Sequence, residues 1–291
     1  LTFHAPGASA QPTQQRDVQH DVSVLFNRAM KVATGGGGHV ALGDKVDFDV
    51  PPRMVFVPRD AADALLIAAG RKPPPDYLGI VLNEAAVGWF VIIRVVNDGH
   101  VDADAMASWS PDDVIASARD ERFAENQERD RQGLPPLEVR RWVTRPDYNP
   151  LLHRLIWSPL VLPLDARRDA GGEIVQYGAV FGRRGYVRLA MTTVLDMLPR
   201  QAVILDVIMD HIAYTPGETY SDFIPSRDPV DRAGLAGVFG YEHLRKADLT
   251  TRLRAFGEPL ILPAEVLAVI AMAGAILVVV YRWWRLHRPA R

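Results

Sequence analysis

The chain has 291 residues, 33 Lys and Arg against 35 Asp and Glu, a formal net charge of -2 and no cysteine. A near-balanced charge gives no global basic field, so nucleic acid is not an expected partner. Without cysteine there is no disulfide, no thiolate metal site and no cysteine nucleophile, and the redox compartment is left unassigned.

Residues 1–38 read as a signal-peptide remnant and a flexible N-terminal segment. Ala8-Ser9-Ala10 puts small residues three and one before a cut, with Leu1-Thr2-Phe3 as the end of an apolar region, so cleavage is expected before Gln11. Val22, Leu25, Phe26 and Ala29 make a short helical stripe. The four glycines Gly35 to Gly38 lack the Lys-Ser/Thr of a phosphate loop and read as a flexible joint.

An α+β domain is expected over 39–233, with helices packed on a largely antiparallel sheet. Short β-type runs at 40–42, 46–50 and 54–57 are punctuated by Gly43-Asp44 and Pro51-Pro52. Asp60 is placed to cap a helix through Ala69, with Asp63 in its first turn and Gly70 at its end. Strands follow at 77–82 and 88–96; the second is nearly all apolar, as in a central strand. Asn97-Asp98-Gly99 signals a turn, with a return strand starting at His100.

The best-marked helix covers 111–132. Ser110 caps it, Pro111 suits its first turn, and Asp112 and Asp113 favour the dipole. Val114, Ile115, Ala118 and Phe123 fall on one side, and its far half carries both charge signs. Among those charges Glu121, Glu125 and Glu128 accompany Arg122 and Arg129, a pattern of ion pairing rather than acid–base catalysis. Strands at 140–144, 152–164, 173–181 and 186–194 come next, the last two joined tightly by Gly182-Arg183-Arg184-Gly185. A third helix is expected over 199–212 and an amphipathic connecting helix over 234–259.

The uncharged run 266–280, inside a span set at 260–286, is the right length for a transmembrane helix, since ~1.5 Å per residue reaches a hydrocarbon core of ~30 Å. Val266, Ile270, Ile276 and Val280 form the anchor, and Trp283 and Trp284 its interfacial belt. Arg282, Arg285, Arg288 and Arg291, with no acid among them, place the 287–291 tail in the cytoplasm and the body outside, with the helix expected in the cytoplasmic (inner) membrane. Ala264, Ala268, Ala271 and Ala275 share a face that admits a homodimer; alanine is also common in any membrane helix.

Two constellations are candidate sites. Asp98, Asp102 and Asp104, with His100 between them, offer carboxylates to a hard cation such as Ca²⁺; a turn followed by an acidic strand end is the plainer reading. Arg183 and Arg184, exposed at a hairpin tip, could grip a phosphate, carboxylate or lipid headgroup, or simply face solvent. Tyr220 and Phe223 read as packing a loop down, with Asp222 bonding local backbone. Trp89, Trp142 and Trp157 read as core. Histidines at zinc spacing and a Gly-x-Ser-x-Gly elbow are both missing from the sequence, and no cofactor is expected.

An ordered set of residues resembles a bacterial family of membrane-anchored proteins, domain of unknown function 2167. It comprises Leu78-Gly79-Ile80, Trp89-Phe90, Gly99-His100-Val101-Asp102-Ala103-Asp104-Ala105, Asn126, Arg129, Gly133-Leu134-Pro135-Pro136-Leu137, Trp142, Pro146, Tyr148, Leu155, Trp157, Gln176-Tyr177, Gly182-Arg183-Arg184-Gly185, Gly217, Tyr220, Asp222 and Phe223. Gln176 and Gly178 stand where the family pattern has asparagines, and Arg141 where it has glycine before Trp142. The resemblance implies an exported, anchored α+β domain and implies no activity.

The expected function is that of a non-enzymatic, membrane-anchored envelope protein whose outer domain binds a protein or envelope component. The alternative is a metal-dependent or hydrolytic enzyme built on residues 98–104. That alternative requires His100, Asp102 and Asp104 to meet His153, Glu173 or Arg184 in a cleft.

Overall fold

The computed structural model describes residues 24–69, 71–85, 88–166 and 172–241. The expected signal-peptide remnant, the Gly70 helix end, the connecting segment past Tyr241, the span 260–286 with Val266, Ile270, Ile276, Val280, Trp283 and Trp284, and the tail lie outside the described residues. Among the described residues no helix is long and apolar enough to cross a membrane.

Eight strands form one antiparallel sheet, in the order β1 (Thr34–Gly35), β4 (Met54–Pro58), β5 (Tyr77–Asn83), β6 (Trp89–Val96), β10 (Gly185–Val194), β9 (Glu173–Gly182), β8 (Arg154–Pro163) and β7 (Leu137–Asn149). The apolar 89–96 run sits where its composition places it, fourth in the order. Three further strands, β2 (His39–Ala41), β3 (Val46–Asp49) and β11 (Ile212–Tyr214), make a small antiparallel sheet.

Alternation along the strands feeds two cores. Val91, Ile93, Val180, Leu189 and Met191 pack with Phe48 of the small sheet and with Leu205 and Ile208 of helix α5 (Val203–Asp210). The neighbouring strand positions Val96, Ala179, Phe181 and Tyr186 instead meet Val114 of helix α3 (Pro111–Arg131) and Val238 and Phe239 of helix α6 (Leu235–Phe239). Helix α1 (24–30 among the described residues) and helix α2 (Arg59–Ala68) lay Ala29, Ala62 and Leu66 over Val55, Val57 and Ile80. The body is therefore α+β, a large antiparallel sheet packed with helices. Trp157, 0 % exposed, fills the second core; burying one such ring is worth several times the ~0.8 kcal/mol of a methylene group.

Several local expectations need correction. The glycine joint is ordered: Gly37 donates to Val50 O and Gly38 to Gly35 O, and a Cβ on Gly36 would lie 2.9 Å from Pro51 O. Asp60 is inside the first turn of α2, whose N-cap position is Pro58, and Asp63 accepts the Tyr77 hydroxyl at 2.7 Å. Ser110 caps α3 as expected, but Phe123 points into solvent. The third helix runs as α4 (Leu198–Gln201) and α5, and Ile212 belongs to β11, opposite Phe48. α6 stops where Gly240 turns left-handed at φ 82, and the Gly240 and Tyr241 N–H groups close its last turn.

Candidate functional site

The site forms where four connections meet at one end of the large sheet. β6 ends at Asn97-Asp98-Gly99. Gly99 has φ 125, and a Cβ there would lie 2.6 Å from Asp231 N, so only glycine lets the two backbones approach. The approach is fixed by His100 N donating to Pro229 O (2.8 Å) and Asp231 N donating to His100 O (2.9 Å). The expected return strand is thus a single bridged residue, and the chain enters a 3-10 turn at Ala103–Ser108 instead. Asp102 caps that turn, its Oδ1 accepting the Ala105 N–H at 3.3 Å.

The β9–β10 hairpin supplies Arg183 and Arg184. Neither is a free grip. Arg183 holds Asp228 side-on, with its Nη1 donating to Gly217 O, and Arg184 pairs with Glu218. These pairs pin the 215–231 loop across the hairpin. The loop's 3-10 turn, Tyr220–Asp222, is closed by a reciprocal cap in which Asp222 accepts the Thr219 N–H and hydroxyl. Asp222 therefore bonds local backbone, as expected.

Tyr220 and Phe223 do more than hold the loop. A column of rings runs Phe223, His100, Tyr220, His153, with centroid separations of 3.7, 4.8 and 4.1 Å. His153 comes from the β7–β8 turn, held there at φ 50 with its carbonyl accepting the Phe181 N–H. Beside the column opens a cleft of about 520 Å³, lined by His100, Asp102, Asp104, His153, Ser221 and Phe223 among others.

The hydrogen bonds fix the protons. His100 Nδ1 lies 3.1 Å from Arg183 O, which can only accept, so Nδ1 carries the proton. Burial lowers the His100 pKa, which favours the neutral ring. Tyr148 donates to Asp104 Oδ1 at 2.9 Å, and its oxygen lies 3.2 Å from His153 Nδ1. With the hydroxyl proton committed to the carboxylate, His153 Nδ1 is the donor of that second bond. Burial and the bond to Asp104 both raise the Tyr148 pKa, which keeps it a phenol. Tyr220 accepts the Ala103 N–H at 3.0 Å.

Of the three acids singled out from the sequence, Asp102 and Asp104 line the cleft and Asp98 does not. Among the described residues no three His, Asp or Glu side chains are placed to hold a metal ion together. Of the three groups any one of which the enzyme alternative asks for, His153 joins them in the cleft; Glu173 pairs with Arg71, and Arg184 with Glu218. Tyr148, Tyr220 and Phe223 stand out in the sequence only among the residues that carry the resemblance; their roles at the cleft depend on contacts between distant segments.

The family model described as "Protein of unknown function (DUF2167)" matches residues 34–273. The chain belongs to that family. No curated protein matches the chain. Among solved structures, the chain is similar to cyanobacterial PsbP (CyanoP) from Synechocystis sp. PCC 6803, at 11% identity and a TM-score of 0.38, over 63% of this chain and 91% of that one. It is also similar to the Ran-binding protein Mog1p of Saccharomyces cerevisiae, at 14% identity and a TM-score of 0.30, over 66% of this chain and 100% of that one. Neither likeness is close enough to bear on what this family member does.

Proposed function

We propose that the protein is a non-enzymatic, membrane-anchored envelope protein whose outer domain binds a protein or envelope component at the His100 cleft. The anchor is the 260–286 segment with its arginine-rich flank, which on charge grounds keeps the body outside the cytoplasm. The observation that carries the binding reading is the ring column at the cleft wall. His100 and His153 are each stacked against aromatic neighbours and each held through Nδ1, an arrangement suited to presenting a fixed surface.

The test is site-specific photocrosslinking in native membranes. A photoreactive residue at exposed Ser221, on the cleft, is expected to give a defined adduct, and one at exposed Gln127 on α3 is not. Equal labelling at both sites, or none at Ser221, overturns the reading. Release of the full chain from vesicles by alkaline washing overturns the anchor.

A hydrolytic reading is favoured by one observation, the meeting of His100, Asp102, Asp104 and His153 in a single cleft. It predicts turnover of activated ester, phosphate or glycoside substrates that His153→Ala abolishes. Unchanged background hydrolysis in that variant removes it.

A further inference from the structure

The proton assignments make the cleft one-sided. His100 directs Nδ1 to Arg183 O and His153 directs its own to the Tyr148 oxygen, so Nε2 is the nitrogen that each ring has left for a ligand. His100 is 6 % exposed, yet Nε2 has no hydrogen-bond partner among the described residues. Asp102 and Asp104 add carboxylate oxygens, each with one oxygen free of the Ala105 and Tyr148 bonds. No lysine or arginine lines the cleft, and the guanidinium groups of Arg183 and Arg184 on the β9–β10 hairpin are held by Asp228 and Glu218. The walls therefore carry acceptors and negative charge, and the missing half is a cationic group with several N–H donors.

We propose that the cleft receives a lysine ammonium or arginine guanidinium presented by a partner protein. This rests on the binding reading above and names its ligand chemistry. A point metal ion is the poorer match, because its ligands must converge to within ~2–2.5 Å of one centre and no three candidates here do so. A donor group on a long side chain has no such requirement; it can reach acceptors spread along a wall. A protein is a better source than a free amine because Leu151, 88 % exposed, and Leu152 stand beside His153 on the same turn. Exposed leucines next to a cleft residue in the chain suit cover by a protein surface, which a small amine does not supply.

The test uses the full-length chain in detergent with a fluorescent hexalysine peptide, its fully Nε-acetylated counterpart, and Zn²⁺ alone. Hexalysine is expected to bind at low salt, at least about tenfold more tightly than the acetylated peptide, and more weakly as salt rises. The double variant Asp102→Asn/Asp104→Asn should lose about tenfold or more of that affinity. Asparagine keeps the acceptor to Ala105 and Tyr148, so the fold is preserved. The charge-matched control Asp44→Asn/Asp130→Asn should bind like wild type. Equal affinity for both peptides, or equal losses in the two double variants, overturns the proposal. So does Zn²⁺ binding that His100→Gln abolishes while hexalysine fails to bind. If hexalysine fails but the Ser221 adduct still forms, the cationic ligand is wrong and the binding reading stands. If hexalysine binds as described and no adduct forms, the reverse holds.

Discussion

Arg183 and Asp228 meet side-on, Nε to Oδ2 at 2.7 Å and Nη2 to Oδ1 at 3.0 Å, with the carboxylate 3 % exposed and the arginine 14 %. The pair staples the 215–231 loop to the β9–β10 hairpin, and the same Asp228 accepts the Ile224 N–H at 2.8 Å. A feature that reads in the sequence as an exposed anion grip is an internal clamp that holds the cleft wall in place.

The clamp has a pH signature. Hydrogen bonding from Arg183, above all, holds the Asp228 carboxyl down at about 2, against roughly 3.9 in an unfolded chain. The folded value is the lower one, so the contribution is present above about pH 4 and drains away as pH falls through 2. Asp228→Asn should be less stable than wild type at pH 7, with the gap closing over that window. Urea unfolding across pH 2–7 measures it; a gap of constant size would contradict the assignment.

His100 contributes in the same direction at higher pH. Burial lowers its folded pKa, so the unfolded imidazole, near 6.5, takes a proton first. Stability is present above about pH 6.5 and is lost as pH falls through the folded value. His39, raised mainly by its bond to Asp49, acts with the opposite sign. The useful comparison is therefore His100→Gln against wild type, in which the variant loses less of its thermal midpoint between pH 6.5 and 5.

At Gly182 the backbone has no room for a side chain. An added Cβ would lie 2.3 Å from the Tyr214 ring, whose hydroxyl donates to Val180 O. Gly182→Ala is expected to cost about 1–3 kcal/mol, as overpacking does. Adding Tyr214→Leu should return part of it. Chemical denaturation of the single and double variants decides the point.

Trp157 separates packing from polarity. Its ring is wholly buried, stacked on Tyr177 at 5.3 Å, and its Nε1 has no hydrogen-bond partner. Trp157→Ala should cost about 3–5 kcal/mol by opening a cavity. Trp157→Phe removes a donor whose lone burial costs about 1–3 kcal/mol, so its net loss should be under half that of alanine. Equal losses would mean that Nε1 is satisfied by bound water.

Much of the sheet is legible in the chain because its strands are punctuated. Pro51-Pro52 and Gly182 to Gly185 mark real turns, Asn97-Asp98-Gly99 marks the end of β6 at a bend, and Ser110-Pro111 marks a real helix start. Ile212 misleads because 205, 208, 209 and 212 keep helical spacing while the last reaches across to Phe48 in a strand. The acids at 102 and 104 are legible as a cluster. Their surroundings are not: Tyr148 and His153 arrive from the β7–β8 hairpin and Tyr220 and Phe223 from the 215–231 loop, and no local pattern announces that they gather around His100 and Asp104. Asp228 and Glu218 are hidden for the same reason, which is why Arg183 and Arg184 look free.

The margins of the large sheet remain. One is the two-residue β1, and the other is β7, whose pairing with β8 slips at Val139/Arg141, Trp142/Thr144 and Thr144/Asp147. A regular ladder is what an invading strand needs, and neither border offers one of useful length. Copies of this domain crowded together should therefore resist zipping edge to edge into larger aggregates.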